Sequence, residues 1–163
     1  MAVFTPDLLE LAADVLKRCR ERALHLATAE SCTGGLVAGV LTEVAGSSDV
    51  VDCGYVTYSN AAKQRLLGVP EDLLIRFGAV SRPVAEAMAA GALGGADLSI
   101  AITGIAGPGG GSPDKPVGLV HFATALKGGP VLAHEARFGD LGRAQVRQAA
   151  VITALKLLQA RLD

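Results

Sequence analysis

Tryptophan is absent from this sequence, and two tyrosines and four phenylalanines are its only other large rings. A core without such rings has to be close-packed from small side chains; half of the residues are hydrophobic and 20 are glycine, which favours sheets covered by helices. Charge of one sign is also missing, since 15 Lys and Arg stand against 16 Asp and Glu, a net charge of −1. No basic run is present to track a phosphate backbone, so nucleic acid is excluded as the main ligand. Cysteine is scarce: Cys19, Cys32 and Cys53 cannot all pair and form no C-x-x-C motif. Asp7 and Glu10 occupy the place of a basic signal-peptide region, so the expectation is a reducing, cytoplasmic setting. No apolar run approaches the roughly 20 residues that span a bilayer, which excludes a membrane partner of that kind. What remains is 163 residues with a mean hydropathy of +0.40. That predicts one compact domain over 1–163, and a chain of this size buries roughly 70% of its unfolded surface, which excludes disorder.

The pattern along the chain predicts an α/β order. Leu8, Leu9, Leu11, Ala12, Val15, Leu16 and Cys19 recur at helical spacing between Pro6 and Arg22, with Thr5 as cap. A short strand is expected over 24–29, then a buried helix running from Gly34-Gly35 to Val44, a strand over 50–58, and a helix capped by Ser59-Asn60. A short helix to Phe77 follows, then an alanine-rich one from Ser81 that loosens at Gly94-Gly95, and a strand over 97–103. The glycine-rich loop 104–116 leads to two strands, 117–126 and 131–138, joined by Lys127-Gly128-Gly129 as a hairpin. The last helix, 142–162, places Val146, Ala150, Ile152, Leu155 and Leu158 on one face. Together these predict a mixed, mostly parallel five-stranded sheet with helices on both faces.

In such sheets ligands bind beyond the carboxyl ends of the strands, where three turns carry polar side chains or glycines: 30–35, 58–63 and 103–115. Ser31 precedes Gly34-Gly35, a pair that lets backbone N–H groups approach an oxyanion or phosphate; equally, Ser31 or Thr33 can be a plain helix N-cap. Lys63 lies in the first turn of a helix, against the positive end of the helix dipole. Its pKa is therefore expected to be lowered, the more so with partial burial, which suits a general base, although a solvated helix lysine is the ordinary alternative. Tyr58 is expected to end a strand, either as a proton relay between serine and lysine or as a buried strand tyrosine. Cys32 is a rival nucleophile without a basic neighbour in any motif. The loop after Thr103 matches neither G-x-x-x-x-G-K-[ST] nor G-x-G-x-x-G; it is either a flexible connection or a source of backbone donors. His25, His121 and His134 are scattered, with His25 and His121 inside predicted strands, so no metal site is expected.

The ordered set Ala29-Glu30-Ser31-Cys32-Thr33-Gly34-Gly35, Ala45-Gly46-Ser47-Ser48, Tyr58-Ser59-Asn60-Ala61-Ala62-Lys63, Gly78-Ala79-Val80-Ser81, Thr103-Gly104-Ile105-Ala106-Gly107-Pro108 and Lys115-Pro116-Val117-Gly118 resembles the C-terminal domain of the CinA, or competence/damage-inducible, family. That family includes stand-alone nicotinamide-nucleotide amidases. The resemblance implies a three-layer α/β/α sandwich and hydrolysis of the carboxamide of nicotinamide mononucleotide to nicotinic acid mononucleotide and ammonia, without a cofactor. It implies Ser31 as nucleophile, with Tyr58 and Lys63 as activating partners. Cys32, Thr33, Gly34, Gly35, Asn60, Thr103 and Gly104 would then line the substrate pocket, and the nucleotide phosphate would lie on Arg147 first and Arg143 second. Leu141-Gly142 separates Asp140 from Arg143 where the family continues directly into arginine. The resemblance further implies a homo-oligomer in the stand-alone form. A non-catalytic module that binds a pyridine nucleotide through the same turns is the alternative.

Overall fold

The computed structural model describes residues 2–163. The chain runs α1 (Pro6–Glu21), β1 (Leu26–Glu30), α2 (Leu36–Glu43), β2 (Val51–Val56), α3 (Asn60–Leu67), α4 (Glu71–Phe77), α5 (Arg82–Leu93), β3 (Leu98–Gly104), β4 (Leu119–Leu126), β5 (Val131–Arg137) and α6 (Arg143–Arg161). The strands form one sheet in the order β2-β1-β3-β4-β5. β1 pairs in parallel with β2 and β3, while β3–β4 and β4–β5 are antiparallel, so only β4 runs against the other strands and the pairings divide evenly. Among the described residues no helix is long and apolar enough to cross a membrane.

The two-residue period of the strands sorts the core by size. Leu26, Leu98, Ile100, Ile102, Val120 and Phe122 point to the face covered by α1, α2 and α6. Ala29, Ala101, Ala123 and Ala125 point to the other, where Val84, Ala85, Met88, Ala89 and Ala92 of α5 lie against them. With alanine opposite alanine, α5 settles close to the sheet, and the scarcity of rings is answered by short interlayer distances. The same economy fixes α3. A Cβ on Gly91 would stand 1.9 Å from the Leu67 carbonyl oxygen, so the end of α3 rests on bare α5 backbone. α3 carries Lys63, which ties this packing to the site.

Several boundaries and faces differ from the sequence reading. β2 stops at Val56, and Tyr58 lies beyond it, 63% exposed, instead of buried at a strand end. His25 precedes β1, whereas His121 does lie within β4. In α6 it is Val151 and Ala154, not Ile152, that join Val146, Ala150, Leu155 and Leu158 in the core. Spacings of four from 146 and 151 define that face, and position 152 is turned a further ~100° away.

α1 ends on Ala23 with φ +54, the one described non-glycine residue in the left-handed region, while Leu24 N–H returns to the Cys19 carbonyl at 2.9 Å. Ala23 is exposed, so nothing opposes removal of its Cβ. Ala23→Gly is expected to raise stability by about 0.5–1 kcal/mol, because the relieved left-handed strain exceeds the entropy that glycine adds to the unfolded chain. An increase in the urea midpoint at unchanged slope checks this.

Candidate active site

β1 leaves the sheet at Glu30, between both of its parallel neighbours, and the chain turns at 31–35 into α2. Ser31 N–H stays anchored to the Ile102 carbonyl of β3 at 2.9 Å, and Gly34 N–H closes back on the Ser31 carbonyl at 3.0 Å. Gly34 and Gly35 both have positive φ, +58 and +96, a path that other side chains resist. Neither Ser31 nor Thr33 caps α2. The N-cap position is Gly35, which has no side chain, and the capping group is the carboxylate of Glu30. Its two oxygens accept from Val37 N–H at 2.9 Å and Ala38 N–H at 3.0 Å. Those helix-end donors are occupied, whereas the N–H groups of Cys32, Thr33 and Gly35 reach no acceptor among the described residues; Cys32 and Thr33 are buried and Gly35 is partly exposed.

On the neighbouring turn Ser59 does cap α3, accepting from Ala62 N–H at 3.0 Å. That seats Lys63 facing inward. The lysine is 1% exposed, and its Nζ donates to the Thr57 carbonyl at 2.7 Å and to the Ser31 hydroxyl at 3.0 Å. Burial, expected to add to the effect of the helix dipole, lowers its pKa to about 8, and the nearby Cys32 opposes it weakly. The loop contribution from Thr57 was invisible in the sequence because it comes from a main-chain carbonyl.

Cys32 points away from this pair into the core beneath α1, α2 and α6, where burial raises its thiol to about 11. A thiol so held is almost wholly protonated near neutral pH, which makes it a poor nucleophile. Tyr58 does not bridge Ser31 and Lys63, which touch directly; its hydroxyl accepts from Arg143 Nη2 at 3.1 Å. Arg143 is exposed and also donates to the Gly107 carbonyl at 2.9 Å, joining the glycine loop to Tyr58. Arg147 is half-buried. Its Nε and Nη2 donate to the Cys32 and Thr33 carbonyls at 3.1 and 3.2 Å, and it lines a cleft of about 310 Å³ with Phe4, Leu36 and Val151.

Of the remaining candidates, Thr103 is buried and donates to the Ala79 carbonyl at 2.9 Å, holding the turn before α5 beside the strand ends. Gly104 is the last residue of β3, where a Cβ would press within 2.7 Å of the Val120 side chain. Asn60 is exposed on the first turn of α3. Ser31 and Lys63 thus form one contact pair and Tyr58 and Arg143 another, Arg147 holds the carbonyls of the 31–35 turn, and Thr103 and Gly104 fix the backbone at the end of β3. Glu30 and Thr57 are the residues that sequence reasoning passed over.

A three-layer α/β/α protein with a serine–lysine pair at the carboxyl ends of its parallel strands is the class that these features define. The chain belongs to the CinA family: the CinA C-terminal domain family matches residues 8–162. It is 52% identical over 155 residues to a CinA-like protein of Anaeromyxobacter sp. (strain K), covering 94% of this chain and 38% of that relative. The chain therefore spans about two-fifths of that relative's length. Among solved structures it is similar to the competence/damage inducible protein CihA from Agrobacterium tumefaciens, with 56% identity, a TM-score of 0.95 and 98% of each chain covered. A competence-damaged protein (CinA) superfamily protein from Klebsiella pneumoniae gives 37% identity and a TM-score of 0.90, covering 95% of this chain and 97% of that one.

Proposed function

We propose that the chain is a serine amidohydrolase of the Ser–Lys type that converts nicotinamide mononucleotide to nicotinic acid mononucleotide and ammonia, a pyridine-nucleotide salvage step. The observation that carries the reaction class is the 3.0 Å contact between the Ser31 hydroxyl and a buried amine lowered to about 8. A neutral Lys63 takes the hydroxyl proton as Oγ attacks the carboxamide carbon, and the developing oxyanion is met by free N–H groups of the 31–35 turn. The protonated lysine then returns the proton to the leaving nitrogen, ammonia departs, and an ester on Ser31 remains. A water molecule enters, Lys63 takes its proton, and the acid is released as Ser31 regains its hydrogen.

The substrate assignment is supported by the CinA resemblance and by the exposed guanidinium of Arg143, which rests on Tyr58 and the Gly107 loop. Arg147 is half-buried on two turn carbonyls and Glu30 occupies the first donors of α2, whereas Arg143 is exposed, which makes it the better phosphate ligand in this geometry. Ammonia release from nicotinamide mononucleotide tests the reaction. Binding without ammonia would leave a nucleotide-binding module instead.

The phosphate assignment has its own expected outcome. The wild-type kcat/KM should fall about 10- to 100-fold per charge-assisted bond lost as the substrate is cut from mononucleotide to riboside. Arg143→Ala should raise KM for the mononucleotide and close that gap, whereas Arg147→Ala should lower kcat for every substrate by loosening the turn. Equal rates for mononucleotide and riboside in the wild type would remove the phosphate site.

A further inference from the structure

The proposed chemistry leaves Glu30 unused, although it sits beside the nucleophile and is only 1% exposed. We propose that Glu30 is the positioning residue for Ser31: its carboxylate binds the start of α2 to the end of β1 across the 31–35 turn, and so holds the Ser31 hydroxyl on Lys63. The proposal rests on the Ser–Lys reading above.

Its place in the contact network supports this. The Glu30 carbonyl accepts from Thr57 N–H at 2.9 Å, the Thr57 carbonyl accepts from Lys63 at 2.7 Å, and Lys63 donates to Ser31 at 3.0 Å, the residue bonded to Glu30 in the chain. Nucleophile and base are therefore two ends of one closed ring that passes through the Glu30 backbone. The side chain adds the link that this ring lacks. An ordinary cap at position 35 would hold only the helix; here Gly35 adopts φ +96, and a Cβ there would meet Val56 Cγ2 at 3.3 Å, so the cap cannot come from that position. Delivered from Glu30 instead, the same two bonds to Val37 and Ala38 reach around the whole turn. Arg147 fastens the middle of the turn at Cys32 and Thr33, and Ile102 fastens its start. Glu30 is the side chain that fixes the far end.

Both donors come from the positive end of a helix, and the carboxylate meets each with an oxygen of its own. Glutamine keeps the shape but turns an NH2 group toward one of the N–H donors. Aspartate keeps the charge on an arm one methylene shorter.

The test uses phosphylation of Ser31 by diisopropyl fluorophosphate, which requires no substrate. The serine oxygen forms the O–P bond, fluoride leaves, and Lys63 receives the hydroxyl proton. Labelling is followed by mass spectrometry and peptide mapping, with circular dichroism reporting folding. Glu30→Gln is expected to label about 100-fold more slowly than wild type, the scale of a misplacement near 1 Å, with Glu30→Asp between the two. Leu16→Ala, a truncation of a buried leucine in the middle of α1, should be destabilised yet label at the wild-type rate. Folded Glu30→Gln labelling as fast as wild type overturns the proposal, as does an equal slowing in Leu16→Ala. If Glu30→Gln does not fold, wild-type labelling in Glu30→Asp overturns it. Failure of the wild-type protein to label at Ser31 removes the Ser–Lys reading and this proposal with it, which separates the two failures.

Discussion

Ser31→Ala is expected to reduce ammonia release from nicotinamide mononucleotide on the order of 10⁴-fold or more, while the protein remains folded and retains the nucleotide. The folding expectation follows from what the hydroxyl touches. Ser31 is not the cap of α2, and its side chain has one hydrogen bond, from Lys63 at 3.0 Å. Losing it costs about 1 kcal/mol. The lysine keeps the Thr57 carbonyl at 2.7 Å, so its charge is not stranded. The nucleotide binding proposed for Arg143 involves no hydroxyl at 31. Cys32→Ala provides the contrast: it removes a sulfur from the core at a stability cost of about 1 kcal/mol, and most of the activity should persist. Rates of ammonia production in the two variants, set beside a binding isotherm, check both halves. An active alanine at 31 with a dead alanine at 32 would reverse the assignment.

The pairing of Ser31 with Lys63 was legible in the sequence because each sits at a strand-to-helix turn, and parallel neighbouring strands bring such turns to one edge. The burial of Lys63 was not. α3 has eight residues and almost no apolar stripe, so periodicity says nothing about which side faces in; Ser59 as cap and Gly91 as a bare landing for Leu67 decide it. Glu30 was passed over for a related reason. Capping rules search the N-cap position, and here the cap comes from the preceding strand, across a turn whose glycines leave no other donor of a carboxylate. Tyr58 was misplaced because β-branched and aromatic residues continue past Val56, although the bond from Thr57 N–H to the Glu30 carbonyl is the last rung that ties this strand to β1. Arg143 and Arg147 look alike one helical turn apart. Only the positions of the Cys32, Thr33 and Gly107 carbonyls separate the turn clamp from the exposed arginine on the glycine loop.

Lys63→Arg is expected to lower kcat/KM by about 10³-fold or more although the positive charge is kept, because a guanidinium cannot give up its proton near neutral pH and so cannot accept one from serine. In the wild type, burial has lowered the amine to about 8. The active form is the neutral one, so kcat/KM should rise about tenfold per pH unit below 8 and level off above it. Stability should carry the same signature with a definite sign. Folded Lys63 releases its proton at about 8 and the unfolded lysine at its ordinary value of 10.5. Between those values the unfolded state binds more protons, and stability therefore rises with pH there. Below 8 both states are protonated and the folded protein bears the full cost of a buried charge, about 3 kcal/mol. Cys19 and Cys32, raised to about 11 from 9.0, work in the opposite direction above pH 9, when the unfolded thiols ionise first. Lys63→Met retains both cysteines and lacks the amine, so subtracting its urea stability from that of the wild type at each pH isolates the lysine. The difference should climb in favour of the wild type from pH 8 toward 10.5. A flat difference together with a flat rate profile would mean that folding does not lower Lys63 and that it is not the base.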